Sequence, residues 1–434
     1  MARLVADVAP LRRYRDFRLL WYGQTVSSMG SQLTVVGVSY QAYRLTHSTF
    51  MVGLISLVEL LPLIVGSLGG GPVIDATDRR RVILVAQVCM ALCSVGLAAN
   101  ALLPHPALWP LFACAAGSAL FQGVNYPARR AALTMVVPAA DMTAALALQA
   151  VVFQWAFVVG PSVAGLLIGS AGLGAVYLID VGTFVASTLW ALRLPALRPS
   201  GGGTPADLRS LVEGWRHLRG QRLLAATFWI DLDAMIFGMP RAVFPAIGTG
   251  LYHGGAGVVG LLYAAPGVGG VVGSMLSGWV GRVRHQGRAV VVSVCVWGGA
   301  VAAFGVVPAL WAGLVLLAVA GAADVVSAVF RQAVLQDTVP ERLQGRLSGA
   351  FFAVVAGGPR LGDAETGAAA ALAGPQVAVW SGGLACLAGV ALLVWRVPEL
   401  WRSAARPPTG DQLAAVETGG VIEGTAELSE GEAV

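Results

Sequence analysis

The chain has no lysine, and charged residues of any kind make up only 12% of its 434 positions. A soluble domain carries about 25% charged residues to keep its surface wet, so a chain this poor in charge is not built to be surrounded by water. Without lysine there is also no Gly-x-x-x-x-Gly-Lys loop to cradle nucleotide phosphates, and an ATP-driven pump would need a separate motor subunit. Cysteine and histidine are scarce, at five each. Cys89, Cys93, Cys114, Cys295 and Cys386 fall within apolar runs, where a thiol behaves as a small hydrophobe. His47, His105, His217, His253 and His285 fall in connections or at surfaces. No metal, haem or nucleophilic grouping results, so the expectation is a protein that is not an enzyme and has no cofactor.

Apolar residues, by contrast, make up 56% of the chain, with 56 glycines spread among them and a mean hydropathy of +0.74. Small residues let helices approach closely in lipid. A bilayer crossing takes about 20 apolar residues, and twelve runs meet that length. They are 19–43, 50–72, 82–103, 107–127, 143–168 and 172–192, then 223–246, 256–279, 289–309, 311–334, 346–372 and 374–396. All 28 basic residues are arginine, and all but Arg44, Arg241 and Arg360 fall in the tails or at the 2–3, 4–5, 6–7, 8–9 and 10–11 connections. Arginine-rich loops stay cytoplasmic, so both termini and the central loop are expected on the cytoplasmic side. The net charge of +5 is thus a matter of topology, and no nucleic-acid partner is expected. Met1–Arg18 has five arginines and no short apolar core, and reads as a cytoplasmic lead-in.

The chain repeats itself. Gly53-Leu54, Val65-Gly66-Ser67, Gly71 and Arg81 return as Gly260-Leu261, Val272-Gly273-Ser274, Gly278 and Arg288, each shifted by 207 residues. Arg129-x-Ala131-x-Leu133 and Val137-Pro138 return as Arg331-x-Ala333-x-Leu335 and Val339-Pro340, shifted by 202. Duplicated membrane halves are a transporter's signature, because substrate sits between repeats that rock against each other. The expected units are an N-terminal six-helix bundle at 1–192 and a linker at 193–222. A second six-helix bundle at 223–396 and an acidic tail at 397–434 follow. Within the linker, Leu208, Leu211, Val212, Trp215 and Leu218 recur at helical spacing with Arg209, Arg216 and Arg219 between them, which predicts an amphipathic surface helix. The tail, with Asp411, Glu417, Glu423, Glu427, Glu430 and Glu432, has the composition of a disordered segment.

Gly71-Pro72-Val73-Ile74-Asp75-Ala76-Thr77-Asp78-Arg79-Arg80-Arg81 resembles the loop between helices 2 and 3 of the major facilitator superfamily, a glycine, an acid four residues on and a basic cluster. The resemblance implies an all-α membrane protein of twelve transmembrane helices in two pseudo-symmetric six-helix bundles. It also implies a cytoplasmic gate built by Gly71, Asp75, Arg79, Arg80 and Arg81, with Asp75 capping a helix or pairing with an arginine. Ala76 and Asp78 depart from that pattern, and the second copy has Arg282 in place of the acid. In the fifth span Gly160-Pro161-Ser162-Val163-Ala164-Gly165 resembles the superfamily's exporter Gly-Pro motif, a pliable, close-packing helix.

Other stretches resemble the enterobactin exporter group of that superfamily. They are Thr46-His47-Ser48-Thr49 before Val52-Gly53-Leu54, Asn100-Ala101-Leu102-Leu103-Pro104, Leu261-Leu262-Tyr263-Ala264-Ala265, and Leu335-Gln336 followed by Pro340 and Gly345-Arg346. That resemblance implies proton-coupled export of a siderophore or similar amphipathic natural product across a bacterial inner membrane, with multidrug or macrolide efflux as the alternative. An importer or a membrane-embedded enzyme fits less well, and a monomer is expected.

Ionisable residues at depth in a membrane are costly, and they face a cavity or a partner. Asp231 and Asp233 in the seventh span, Asp324 in the tenth and Glu59 in the second are the proton-coupling candidates. Two residues apart, Asp231 and Asp233 cannot share a helix face. Arg360 and Asp363 are spaced to pair within the eleventh span, or Arg360 could hold an acidic oxygen of the substrate by bidentate bonding. Gln154, Trp155, Trp229 and Phe237 join Arg360 and Asp363 as cavity candidates, while Asp180 and Arg241 read as structural.

Overall fold

The computed structural model describes residues 7–198, 222–276, 283, 285–338 and 341–402, so most of the linker, its amphipathic stretch, Arg282 and most of the acidic tail lie outside the described residues. No strand occurs among the described residues. The long helices are α1 (Arg15–Thr46), α2 (Thr49–Ala76), α3 (Arg79–Leu102) and α4 (Trp109–Val136). Next comes Met142–Leu192, which breaks at Gly172 (φ 81°, ψ 173°) into α5 (142–171) and α6 (173–192). The second half holds α7 (Arg222–Phe237), α8 (Gly255–Leu276), α9 (Gln286–Phe304), α10 (Leu310–Thr338), α11 (Glu341–Ala373) and α12 (Pro375–Arg396). By length and composition, eight described helical stretches can cross a membrane, Ala139–Leu192 counted as one at 54 residues. Among the described residues, α1, α4 and α11 are as long but less apolar.

Local chemistry sets the ends. The Ser48 hydroxyl accepts from Met51 N at 3.4 Å and starts α2. Asp78 caps α3, accepting from Arg80 N at 3.0 Å, which meets one of the orphan donors of a helix start. The expected seventh span of 223–246 lies within the membrane-length stretch Arg222–Leu251, but that stretch is not one regular helix. Its α-helix stops at Phe237, and a 3₁₀ turn at Arg241–Val243 and a π-turn at Ile247–Leu251 continue the chain. Gly238 and Pro240 cause the break. A Cβ on Gly238 would lie 3.0 Å from the Trp297 indole nitrogen, and that nitrogen donates to Gly238 O at 2.8 Å.

Packing repeats the pattern seen in the sequence. Gly66 of α2 lies against the Leu120 carbonyl of α4, and Gly273 of α8 lies against the Ala322 carbonyl of α10. The first pair becomes the second by the shifts of 207 and 202 already noted. The two halves meet where α2 packs on α11 and α5 packs on α8. The Arg-rich ends gather on one face: Arg79 N donates to Leu197 O at 3.1 Å, and Arg288 Nε donates to Trp401 O at 3.1 Å. The opposite end is called the distal face below.

Candidate functional site

The seam between the halves is lined by glycine at its distal end. Gly53 of α2 meets the backbone of Asp363 and Ala364, and a Cβ on Gly367 of α11 would lie 2.7 Å from Thr49 O and 3.1 Å from Gly53 Cα. The related seam is α8 against α5, where a Cβ on Gly260 would lie 2.5 Å from Pro161 O and 2.8 Å from Gly165 Cα. Pro161 and Gly165 become Asp363 and Gly367 by the shift of 202. The Gly-Pro motif of α5 therefore sits in the seam. Gly160 of the same motif turns to α1, close to Gln32.

Charged side chains cross the α2–α11 seam just inside those glycines. Arg360 Nε lies 3.3 Å from Glu59 Oε2. Asp363 Oδ2 accepts from Ser56 Oγ at 3.0 Å and from Arg241 Nη2 at 3.4 Å. The expected pairing of Arg360 with Asp363 along α11 gives way to pairs between helices. Three of the four charged partners are also partly open, with Arg360 18%, Glu59 27% and Arg241 25% exposed at the side chain, against 10% for Asp363. Arg241 reaches Asp363 because the Gly238–Pro240 break carries it off the line of α7 and across to α11. Tyr263 steadies that turn by donating to Arg241 O at 2.9 Å.

A second cluster lies inside the C-terminal half. Arg331 of α10 is 2.9 Å from Asp231 Oδ1 and 3.8 Å from Asp324 Oδ1, and its Nη1 donates to Ser327 Oγ at 3.0 Å. Arg331 and Asp231 are closed off at 5% and 2% side-chain exposure, while Asp324 is 36% exposed. Arg331 reads from sequence as the edge of a loop, yet it is a buried cation. Its partner by repeat, Arg129, is buried as well but turns to neutral groups, donating to Ser187 Oγ at 3.1 Å and to Asn125 Oδ1 at 3.3 Å. The echo of Arg129 in Arg331 was the signal that could have exposed both. Asp233 faces away from Asp231, as their spacing requires, and lies over Gly389 beside Cys386 of α12. Asp180, expected to be structural, takes hydrogen bonds from Thr34 and Ser94 at 2.7 Å each and from Thr183 at 3.3 Å.

The expected gate residues form a different joint. Asp78, not Asp75, caps the helix, and it also accepts from Leu197 N at 2.8 Å. Arg79 reaches Ala131 O at 3.1 Å, and Arg80 reaches Ala191 O at 3.3 Å. Asp75 and Arg81 form no ion pair among the described residues, and Gly71 lies inside α2 ahead of Pro72.

Of the cavity candidates, Gln154 lies in the α5–α8 seam, where a Cβ on Gly270 would come within 2.7 Å of its amide nitrogen. Trp155 is 50% exposed and falls on the stripe of α5 that carries Leu166, 71% exposed beside the closed distal seam. At about 100° per residue, that stripe faces outward and not into the seam. Trp229 is 50% exposed on the side of α7 opposite Asp231, and Phe237 ends α7 with its carbonyl against Gly382 of α12.

Two repeated helical halves, a glycine seam and charges shared across it define a membrane transporter. The family model for transmembrane secretion effectors matches residues 5–416, and the chain belongs to that family of the major facilitator superfamily. It is 29% identical over 406 residues to the enterobactin exporter EntS of Citrobacter koseri, a match that covers 93% of this chain and 97% of that one. The EntS of Escherichia coli O139:H28 is also 29% identical, with 93% and 96% covered. Among solved structures, a POT family transporter bound to a thioalcohol-conjugated peptide superposes with a TM-score of 0.71 at 10% identity, covering 89% of this chain and 96% of that one. A bacterial homologue of the human lysosomal transporter Spinster, in an inward-facing and unoccupied conformation, gives 0.65 at 16% identity, with 89% and 95% covered. At these identities the structures speak for the fold.

Proposed function

We propose that the chain is a proton-coupled exporter that moves an amphipathic small molecule, a siderophore such as enterobactin or a related natural product, by alternating access. The observation that carries this reading is the seam. The halves touch at the distal end through glycines and the Glu59–Arg360 pair, so that end is shut. With the Arg-rich face in the cytoplasm, the shut end of the seam faces the outside, and cargo for export enters from the inside. Both termini are then cytoplasmic. A single copy suffices, since each half finds its complement within the chain. The relatives named as enterobactin exporters support the cargo class, and broad drug or macrolide efflux is the second reading.

Coupling falls to the acids that share a cation. One guanidinium cannot neutralise both Asp231 and Asp324, so the pair holds an excess negative charge in a medium of low dielectric. Asp324 is the more accessible of the two and takes the proton, while Glu59 takes one when the seam opens. Asp233, with no arginine in ion-pair range among the described residues, remains the third candidate for the proton. Inverted membrane vesicles energised with an inward-acid gradient should accumulate a catecholate siderophore, and Asp324→Asn should bind it but no longer concentrate it. Uptake that persists after the gradient is collapsed, or an Asp324→Asn protein that still concentrates cargo, would sink the coupling assignment.

A further inference from the structure

We infer that the groove between the Arg-rich ends of α2 and α3 is a binding site for an anionic phospholipid. The groove encloses about 720 Å³ and has an apolar floor and walls made by Val73, Val85, Phe121 and Val124. Val73 and Val85 are 49% and 59% exposed on its sides, surface that a soluble protein would cover and that an acyl chain covers in a membrane. Arg81 and Arg198 stand in its lining along with Asp75 and Asp78. The other arginines of this joint are committed, Arg79 to Ala131 O and Arg80 to Ala191 O. Asp78 is committed too, to the amides of Arg80 and Leu197. Arg81 and Arg198, both exposed, make no hydrogen bond or ion pair with any described residue.

The lining holds two guanidinium groups, Arg81 and Arg198, and two carboxylates, Asp75 and Asp78. Arg79 and Arg80, bonded only to neutral carbonyls, bring the joint to a surplus of two positive charges at the start of α3, where the helix dipole adds to them. Guanidinium binds phosphate by paired N–H donors. An apolar slot that ends in two such groups, at the level where the helices leave the bilayer, matches a lipid with its chain in the slot and its phosphate on the arginines. The surplus of positive charge selects a headgroup of net negative charge.

The test uses the full chain, delipidated in detergent and titrated with phosphatidylglycerol, phosphatidylethanolamine and glycerol 3-phosphate while bound lipid is counted by native mass spectrometry. Phosphatidylglycerol should bind tightest and glycerol 3-phosphate should not bind measurably. The double variant Arg81→Gln/Arg198→Gln should bind phosphatidylglycerol about thirtyfold more weakly. Val85→Trp, which fills the slot and leaves the charges alone, should also lose it, with both variants melting like the parent. Binding in either variant within twofold of the parent overturns the site. Glycerol 3-phosphate binding as well as the lipid, phosphatidylethanolamine binding better, or no lipid bound because the chain's own linker fills the groove would each overturn it as well.

Discussion

Replacing Arg331 with glutamine should cost more stability than any other single substitution on a polar group in this chain. It leaves Asp231, 2% exposed, with no cation and no water, and breaking one side of a buried ion pair costs about 3–5 kcal/mol. The repeat supplies the control. Arg129→Gln removes an equally enclosed guanidinium, but its partners are hydroxyl, amide and carbonyl oxygens, so no carboxylate is stranded. The expected loss there is about 1–3 kcal/mol, that of hydrogen bonds made by a charged group. Adding Asp231→Asn to Arg331→Gln should recover much of the deficit, because the stranded charge is then gone. Unfolding of the purified protein in detergent, followed by tryptophan fluorescence, measures all four proteins. Equal losses for the two arginine variants, or no recovery in the double variant, would mean that the Asp231–Arg331 pair contributes nothing beyond packing.

Gly53→Ala should stop transport while leaving the two bundles folded. The added methyl meets the Asp363 carbonyl, which belongs to the backbone of α11 and cannot rotate aside. Relief comes only from moving α2 away from α11, which opens the distal end. Overpacking of this kind costs about 1–3 kcal/mol. Charged wholly to the distal-closed state, that shifts the balance of open and closed forms about five- to 150-fold. Gly260→Ala should act in the same direction through the Pro161 carbonyl of α5. Labelling of a cysteine placed at Ser56 with a membrane-impermeant maleimide, added from the distal side, reads the opening directly. Parent-like labelling together with parent-like transport in Gly53→Ala would remove the seam from the working cycle.

Much of this seam is visible in the sequence, because glycine at a fixed repeat spacing has one physical use in lipid, close approach of backbones. Gly53 and Gly260, and Gly165 with its counterpart Gly367, could all be found by shifting the chain against itself. The break at Gly172 falls at the first residue of the sixth apolar run and was equally plain. Hydrophobic periodicity did not show the turn at Gly238–Pro240, since an apolar run continues through it; the glycine and the proline were themselves the signal. The charge pairs were hidden for a related reason. Spacing along one helix joined Arg360 to Asp363, whereas the fold gives each a partner from another helix. Asp78 looked like a departure from a motif and proves to be the cap that holds α3 to the stretch after α6.

The two seams are related by the repeat but differ in kind. Where α5 meets α8, proline and glycine face glycine. At the matching place on α11 an aspartate stands, with an arginine and a glutamate close by. One junction is therefore a greased pivot, indifferent to salt and acidity, and the other a clasp that both can loosen. A hypothetical ancestor assembled from two identical halves would have had either two pivots or two clasps, and so no preferred side on which to begin its swing.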